Sequence, residues 1–222
     1  MNGKEITDLV IPDGVTSISN NLFSSCESFV NINLGNTIKT IGEKAFYECP
    51  NVCKITMGKG VERIENNAFY KCTNLTEINF GQSVSTIENR AFSGCTGLTL
   101  IHLPASIKDV KDRAFLRCTN ITEIMVDATT PPNIVKGSFD TSLFTKATLK
   151  VPVGVLATYQ TADVWKDFYC IEEFDPALRL EKISIVPNSL PIYNLQGVQM
   201  SDEKENLPTG IYIQGNKKFV IK

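Results

Sequence analysis

The sequence carries a single histidine, almost no net charge, and no apolar run near the roughly 18 residues of a membrane-spanning helix. Its 24 acidic and 22 basic residues leave a formal charge of −2 and a pI near 5.6, so no global field gathers nucleic acid or anionic membrane. The opening MNGKEITDLVIPDG lacks the apolar core of a secretory signal. No glycine-rich phosphate loop and no nucleic-acid module is present. The expected partners therefore include neither nucleic acid nor a membrane entered by this chain, and no cofactor is expected.

What the sequence has in quantity is repetition. AFYKCTNL at 68–75 returns as LFSSCESF at 22, AFYECPNV at 45, AFSGCTGL at 91 and AFLRCTNI at 114. Phe23, Phe46, Phe69, Phe92 and Phe115 recur every 23 residues, and so do Cys26, Cys49, Cys72, Cys95 and Cys118. Further apolar columns keep the same period: Ile32, Ile55, Ile78, Ile101 and Ile124; Val15, Ile38, Val61, Val84 and Ile107; Ile18, Ile41, Ile64, Ile87 and Val110. The unit reads C-x-x-L-x-x-I-x-L-[PG]-x-x-V-x-x-I-x-x-x-A-F-x-x.

A period of about 20 to 29 residues around an L-x-x-L-x-L core is the mark of a leucine-rich-repeat solenoid, whose units are each too small to bury their own apolar face. The period-2 step from Ile78 to Phe80 predicts a short strand in every unit, paired in parallel with its neighbours about 4.8 Å away. Equivalent residues then fall into internal ladders, and the phenylalanines stack along the axis. The expected fold is a right-handed leucine-rich-repeat solenoid, β-rich, of about six 23-residue coils with parallel strands.

The units IGEKAFYECPNV, IENNAFYKCTNL and VKDRAFLRCTNI resemble the BspA-type leucine-rich repeats of bacterial surface proteins over roughly residues 6 to 174. ATLKVPVGVLATYQTADVWKDFYCIEEF, at 147–174, is similar to the way that family closes its arrays. The resemblance implies a secreted or cell-surface protein with adhesins among its relatives, and it implies no chemistry.

Solenoid ends need covering, because an open coil leaves unpaired backbone and bare apolar side chains. After TTPPN breaks the rhythm near Pro131 and Pro132, Leu149 and Val151 predict one more strand. Val155, Leu156, Tyr159, Ala162 and Trp165 have the spacing of a C-terminal capping helix. No comparable cap precedes Ile6, which, with Leu9 and Ile11, occupies repeat positions; natural sequence upstream is expected. The solenoid with its cap is assigned to 1–174 and a linker to 175–182. A small all-β tail of strand-like runs, ISIV, PIYNLQGVQ and GIYIQGNKKFVIK, is assigned to 183–222, with Gly215 and Asn216 as its last turn. The tail resembles C-terminal sorting segments of secreted Bacteroidetes proteins; a small β-meander is the alternative.

Several residues invite a chemical reading. The repeat cysteines sit on adjacent rungs within disulfide range, but their parallel Cβ vectors suit a ladder of buried, reduced thiols acting as small hydrophobes. Cys49 and Cys53 form a C-x-x-x-C without a second pair or a histidine, so no metal is expected. A triad on His102 would need a serine or thiol within about 3 Å, whereas the repeat cysteines face the other way. Glu77 and Glu123 lie two coils apart, about 9.6 Å by strand spacing, at the upper end of an inverting glycosidase pair. A shallow solenoid face offers no second wall to raise one acid's pKa. Lys44, Arg90 and Arg113 form a basic column interleaved with Glu43, Glu88 and Asp112, read as solvated surface. The glycosylation sequons NLT and NIT are products of the repeat itself.

The outward strand positions are the ones free to specify a ligand: Asn31 and Asn33, Lys54 and Thr56, Glu77 and Asn79, Leu100 and His102, Glu123 and Met125. On a concave face, this mixture suits a protein or glycan ligand, such as host extracellular matrix. The sequence thus predicts a non-catalytic, secreted or cell-surface interaction module, with a structural spacer as the alternative and a glycoside hydrolase as a remote third.

Overall fold

Inward and outward side chains alternate along each repeat's strand: Asn31–Leu34 runs from half-buried to buried to exposed to buried. That alternation fixes the pairing, because a one-residue slip would turn every isoleucine to solvent. The structure, a computed structural model, describes residues 7–176 together with the backbone of 192–194, 210–214 and 217–221. The chain divides into two compact units, Met1–Phe174 and Asp175–Lys222.

In the first unit, strands β1 (Asp8–Ile11), β3 (Asn31–Leu34), β5 (Lys54–Thr56) and β7 (Glu77–Asn79) form one parallel sheet. Strands β9 (Leu100–Leu103), β11 (Glu123–Val126), β13 (Thr148–Pro152) and β14 (Cys170–Phe174) form a second beside it. Register follows the repeat: Ile32 pairs with Ile55 and Ile55 with Ile78. The result is a parallel β-solenoid of about seven turns, where the sequence gives about six.

The sequence does not reveal the next sheet. Two-residue strands β2 (Ser17–Ile18), β4 (Thr40–Ile41), β6 (Arg63–Ile64), β8 (Thr86–Ile87), β10 (Asp109–Val110) and β12 (Asn133–Ile134) pair in parallel, one per coil. Each is too short to display an alternation, and only its inward isoleucine or valine belongs to a visible column.

A third ladder runs through the turns around Ala-Phe, outside any strand. The Phe46 N–H donates to the Ala68 carbonyl at 2.8 Å, Phe69 to Ala91 at 2.7 Å and Phe92 to Ala114 at 2.8 Å. To aim these groups along the axis, the residue two before the phenylalanine and the one two after it take left-handed backbone. The first column is Asn21, Lys44, Asn67, Arg90 and Arg113; the second is Ser25, Glu48, Lys71, Gly94 and Arg117. For a non-glycine residue that conformation costs about 1–2 kcal/mol, and the coil-to-coil ladder it permits offsets the cost.

Inside this frame the phenylalanine ladder forms as expected. Successive rings from Phe23 to Phe115 stack with centroids 5.1 to 5.3 Å apart. Phe139 adds a further ring at 5.6 Å, 24 residues after Phe115, so one coil has taken up an extra residue. Ser138 stands where alanine precedes the other phenylalanines; it is fully buried, and its hydroxyl donates to the Val110 carbonyl at 2.8 Å.

The C-terminal end departs from the expected single helix. A four-residue helix α1 (Leu143–Lys146) precedes β13, and helix α2 (Leu156–Thr161) follows it. Ala162 is extended and Val164 has φ 65°, so Trp165 begins a separate 3-10 turn. Helix α2 and the 3-10 turn lie in the connection from β13 to β14, and β14 is the last strand of its sheet. The phenylalanine stack ends edge-on: Phe139 meets Trp165 at 60° and Phe168 at 77°. Trp165 Nε1 donates to the Pro132 carbonyl at 2.8 Å, and the Tyr159 hydroxyl donates to the Ala128 carbonyl at 2.7 Å. Both donors satisfy backbone acceptors of the segment where the repeat loses its period.

In the second unit, β15 (Ile192–Asn194), β16 (Gly210–Gln214) and β17 (Lys217–Ile221) form an antiparallel sheet in that order. The expected ISIV strand, most of the 175–182 linker, and Gly215 and Asn216 lie outside the described residues.

Phe69 is fully buried between two stacked partners, whereas Phe23 has only one and is partly exposed. Phe69→Ala is expected to cost about 3–5 kcal/mol in urea denaturation and Phe23→Ala distinctly less; equal losses would contradict the ladder.

Candidate functional site: the outward strand face

Parallel register arranges the outward residues in two columns. Asp8, Asn31, Lys54 and Glu77 share one, continued in the neighbouring sheet by Leu100, Glu123 and Thr148. Val10, Asn33, Thr56 and Asn79 share the other, continued by His102, Met125 and Lys150. All ten candidate residues therefore occupy the outward positions of the strands.

They are not equally available. Asn33, Glu77, Asn79 and Leu100 are exposed, while Asn31, Lys54, Thr56, His102 and Glu123 are half-buried. Met125 is a correction: it is 9% exposed and counts with the buried residues. Its register partners are His102 and Lys150, a bulky side chain on either side of it.

Much of the face is tied coil to coil. Lys54 Nζ lies 2.6 Å from Glu77 Oε1, and Lys150 Nζ lies 2.6 Å from Glu123 Oε2. Asn31 Nδ2 donates to Asp8 Oδ1 at 2.6 Å, and Asn79 Oδ1 accepts from the Gly81 N–H. His102 Nε2 sits 2.8 Å from Asp127 Oδ1. The Lys54–Glu77 pair, the most open to solvent of the three ion pairs, contributes about 0–1 kcal/mol. Glu77 and Glu123, the pair at glycosidase-like spacing, are each engaged by a different lysine, with Leu100 between them in the column. Among the described residues, an open pocket of about 280 Å³ lies elsewhere, lined in part by Asp109, Lys111 and Asn133 of the two-residue-strand side. There the Lys111 ammonium hydrogen-bonded to Asp109, aided by Asn133, holds that carboxyl below the usual range.

Inside the coils the repeat cysteines have a partner that spacing alone does not show. The thiols of Cys49, Cys72, Cys95 and Cys118 donate to the carbonyls of Phe23, Phe46, Phe69 and Phe92, each in the preceding coil, at 3.1 to 3.3 Å. They are small core residues and hydrogen-bond donors at once, which is why alanine would not serve equally. All seven cysteines are free. Burial pushes the Cys49 and Cys118 thiols up to about 12 and raises that of Cys95. Among the described residues, no group of three or more histidine, cysteine or acidic side chains is placed to hold a metal ion.

Parallel strands repeating at 23 residues, a stacked phenylalanine column and one thiol per coil define a leucine-rich-repeat solenoid. The chain belongs to the BspA-type leucine-rich-repeat family, whose repeat-region model matches residues 1–122 and 64–153 in six copies. None of the curated proteins matches it. Among solved structures, it is similar to a leucine-rich-repeat protein of T. pallidum, at 27% identity and TM-score 0.55, over 73% of this chain and 81% of that one. A leucine-rich-repeat protein from Bacteroides ovatus shares the fold at 24% identity and TM-score 0.54, over 76% of this chain and 42% of that one.

Two outcomes check the thiol assignment. In the folded protein a thiol reagent should reach Cys26, Cys53 and Cys170, all half-buried, and leave the four ladder cysteines unmodified until denaturant is added. A thiol whose pKa is raised by folding stabilises the fold fully below its unfolded value, here 9.0, and loses that contribution as pH rises toward about 12. The urea midpoint should therefore fall as pH rises above 9.0, and a Cys49→Ala, Cys118→Ala protein should show a flatter alkaline limb.

Proposed function

We propose that the chain is a non-catalytic interaction module, secreted or displayed at a cell surface, that binds a protein or glycan ligand such as host extracellular matrix through the outward strand face. The observation that carries this reading is the contrast along each strand. Inward columns repeat nearly the same residue from coil to coil, while their outward neighbours change from amide to ammonium, carboxylate, aliphatic and imidazole. Asn31, Asn33, Lys54, Thr56, Glu77, Asn79, Leu100, His102 and Glu123 are the proposed contact set. Met125 acts beneath them as packing. We assign 175–182 as a linker to the β tail at 183–222.

One feature favours a structural spacer as the second reading. The face's own charges are spent between coils, Lys54 on Glu77 and Lys150 on Glu123, as a scaffold would use them.

Purified protein tested against immobilised matrix proteins and glycans, beside a Lys54→Ala, Glu77→Ala, His102→Ala variant, separates the two. The interaction reading expects saturable binding that the variant loses by about tenfold or more, with a melting temperature close to wild type because exposed pairs contribute so little. Unchanged binding removes the face assignment, and absence of any saturable ligand favours the spacer.

A further inference from the structure

The left-handed turn columns flanking the phenylalanines carry a choice of residue that the fold does not require. Asn21 and Asn67 in one column and Gly94 in the other are the types that tolerate this backbone at least cost. Yet Lys44, Lys71, Arg90, Arg113 and Arg117 occupy half of the ten positions, against one acid, Glu48, in a chain whose net charge is −2. Backbone strain accepted repeatedly for one kind of side chain points to a use for that side chain.

The charges are not all spent. Lys44 lies 3.7 Å from Glu43, Lys71 2.9 Å from Glu48 and Arg113 3.3 Å from Asp112. Arg90 and Arg117 make no ion pair among the described residues, although the Arg117 backbone N–H donates to Asp140 Oδ2 at 3.3 Å. Between them the ridge narrows. The buried Ser93 and Gly94 stand where the preceding coil has Tyr70 and Lys71 and the following coil has Leu116 and Arg117. Ser93 and Gly94 are both covered, in part by the stem of Lys71, whose Cγ would lie 3.2 Å from a Cβ at Gly94, so what the ridge presents here is the flanking cations. Arg90 and Arg113 occupy equivalent positions in successive coils, with Arg117 four residues after Arg113 in the same turn.

We propose that this ridge docks an acidic polysaccharide, seating its sulfate or carboxylate groups on the exposed guanidinium groups of Arg90, Arg113 and Arg117. Guanidinium groups bind such oxyanions through paired N–H donors. A single-stranded nucleic acid would also need rings on which its bases stack. The neighbouring rings are already engaged: Tyr47 and Tyr70 stack on each other at 5.0 Å, and Lys71 Nζ lies 5.4 Å from the Tyr70 centroid. The ridge belongs to the turns rather than the strand face, so this site stands or falls separately from the proposed function.

The test uses the full chain with heparin and chondroitin sulfate oligosaccharides at about 0.15 M salt, followed by calorimetry. Arg90→Asn with Arg117→Gly removes both free charges and suits the left-handed backbone, so its melting temperature should equal or exceed that of wild type. Its affinity should fall by about tenfold or more, neutral dextran should not bind, and the Lys54, Glu77 and His102 alanine variant should bind as wild type does. The proposal is overturned by full affinity in the arginine variant, by wild-type protein that ignores acidic oligosaccharides at that salt, by equal loss in the strand-face variant, or by tighter binding of single-stranded DNA of matched charge.

Discussion

Everything in the solenoid depends on one constraint: each coil must lie in exact-length register on the next, because no coil can bury its own apolar face. The constraint is met at three edges of the coil at once. Two are β-ladders, and the third is the chain of turn hydrogen bonds through the Ala-Phe segments. With all three in place, every phenylalanine comes to rest about 5 Å from its equivalent, and the thiol of each central coil reaches the phenylalanine carbonyl of the coil before it. Ring stacking and the thiol bond are thus two readings of one backbone arrangement. Where a residue is added, between Phe115 and Phe139, the turn ladder continues: Phe115 still donates, now to Ser138, and Ser138 sends its hydroxyl inward.

This division of labour separates the residues that hold the molecule from those it shows. Inward columns are restricted in size and shape by close packing. Outward strand positions and the long side chains of the turn ridge are restricted only by the backbone beneath them. The strand face spends some of its freedom on coil-to-coil pairs such as Lys54 with Glu77, while the ridge holds arginines at positions where asparagine or glycine would be less strained. The two decorated surfaces differ in chemistry: mixed and largely paired on one side, and on the other a basic ridge in which Arg90 and Arg117 make no ion pair among the described residues.

The core was legible in the sequence because its columns repeat in identity as well as in spacing. Phe46, Phe69 and Phe92 announce both the coil length and the stack, and Ile32, Ile55 and Ile101 announce the buried side of the long strands. Other features left no such mark. Strands as short as Thr86–Ile87 have no period to detect. The turns are left-handed at Lys44, Glu48 and Arg90, residues that carry no turn signal, since glycine appears only at Gly94. Phe139 fell outside the count because its coil is one residue longer. The cysteines looked like small hydrophobes because donation to a carbonyl one coil away depends on stacking, not on neighbours in sequence. Met125 shared a column with exposed residues yet is buried between His102 and Lys150, a flanking pair that the column pattern of one repeat does not reveal.

The most direct measurement is native-state hydrogen exchange at the backbone amides of Phe46, Phe69, Phe92 and Phe115. These lie in turns, where amides ordinarily exchange quickly with solvent. If the turns form a continuous ladder between coils, all four should exchange as slowly as the strand amides, through openings close to global unfolding. Exchange at rates typical of exposed turns, with protection confined to the β-strands, would contradict the account.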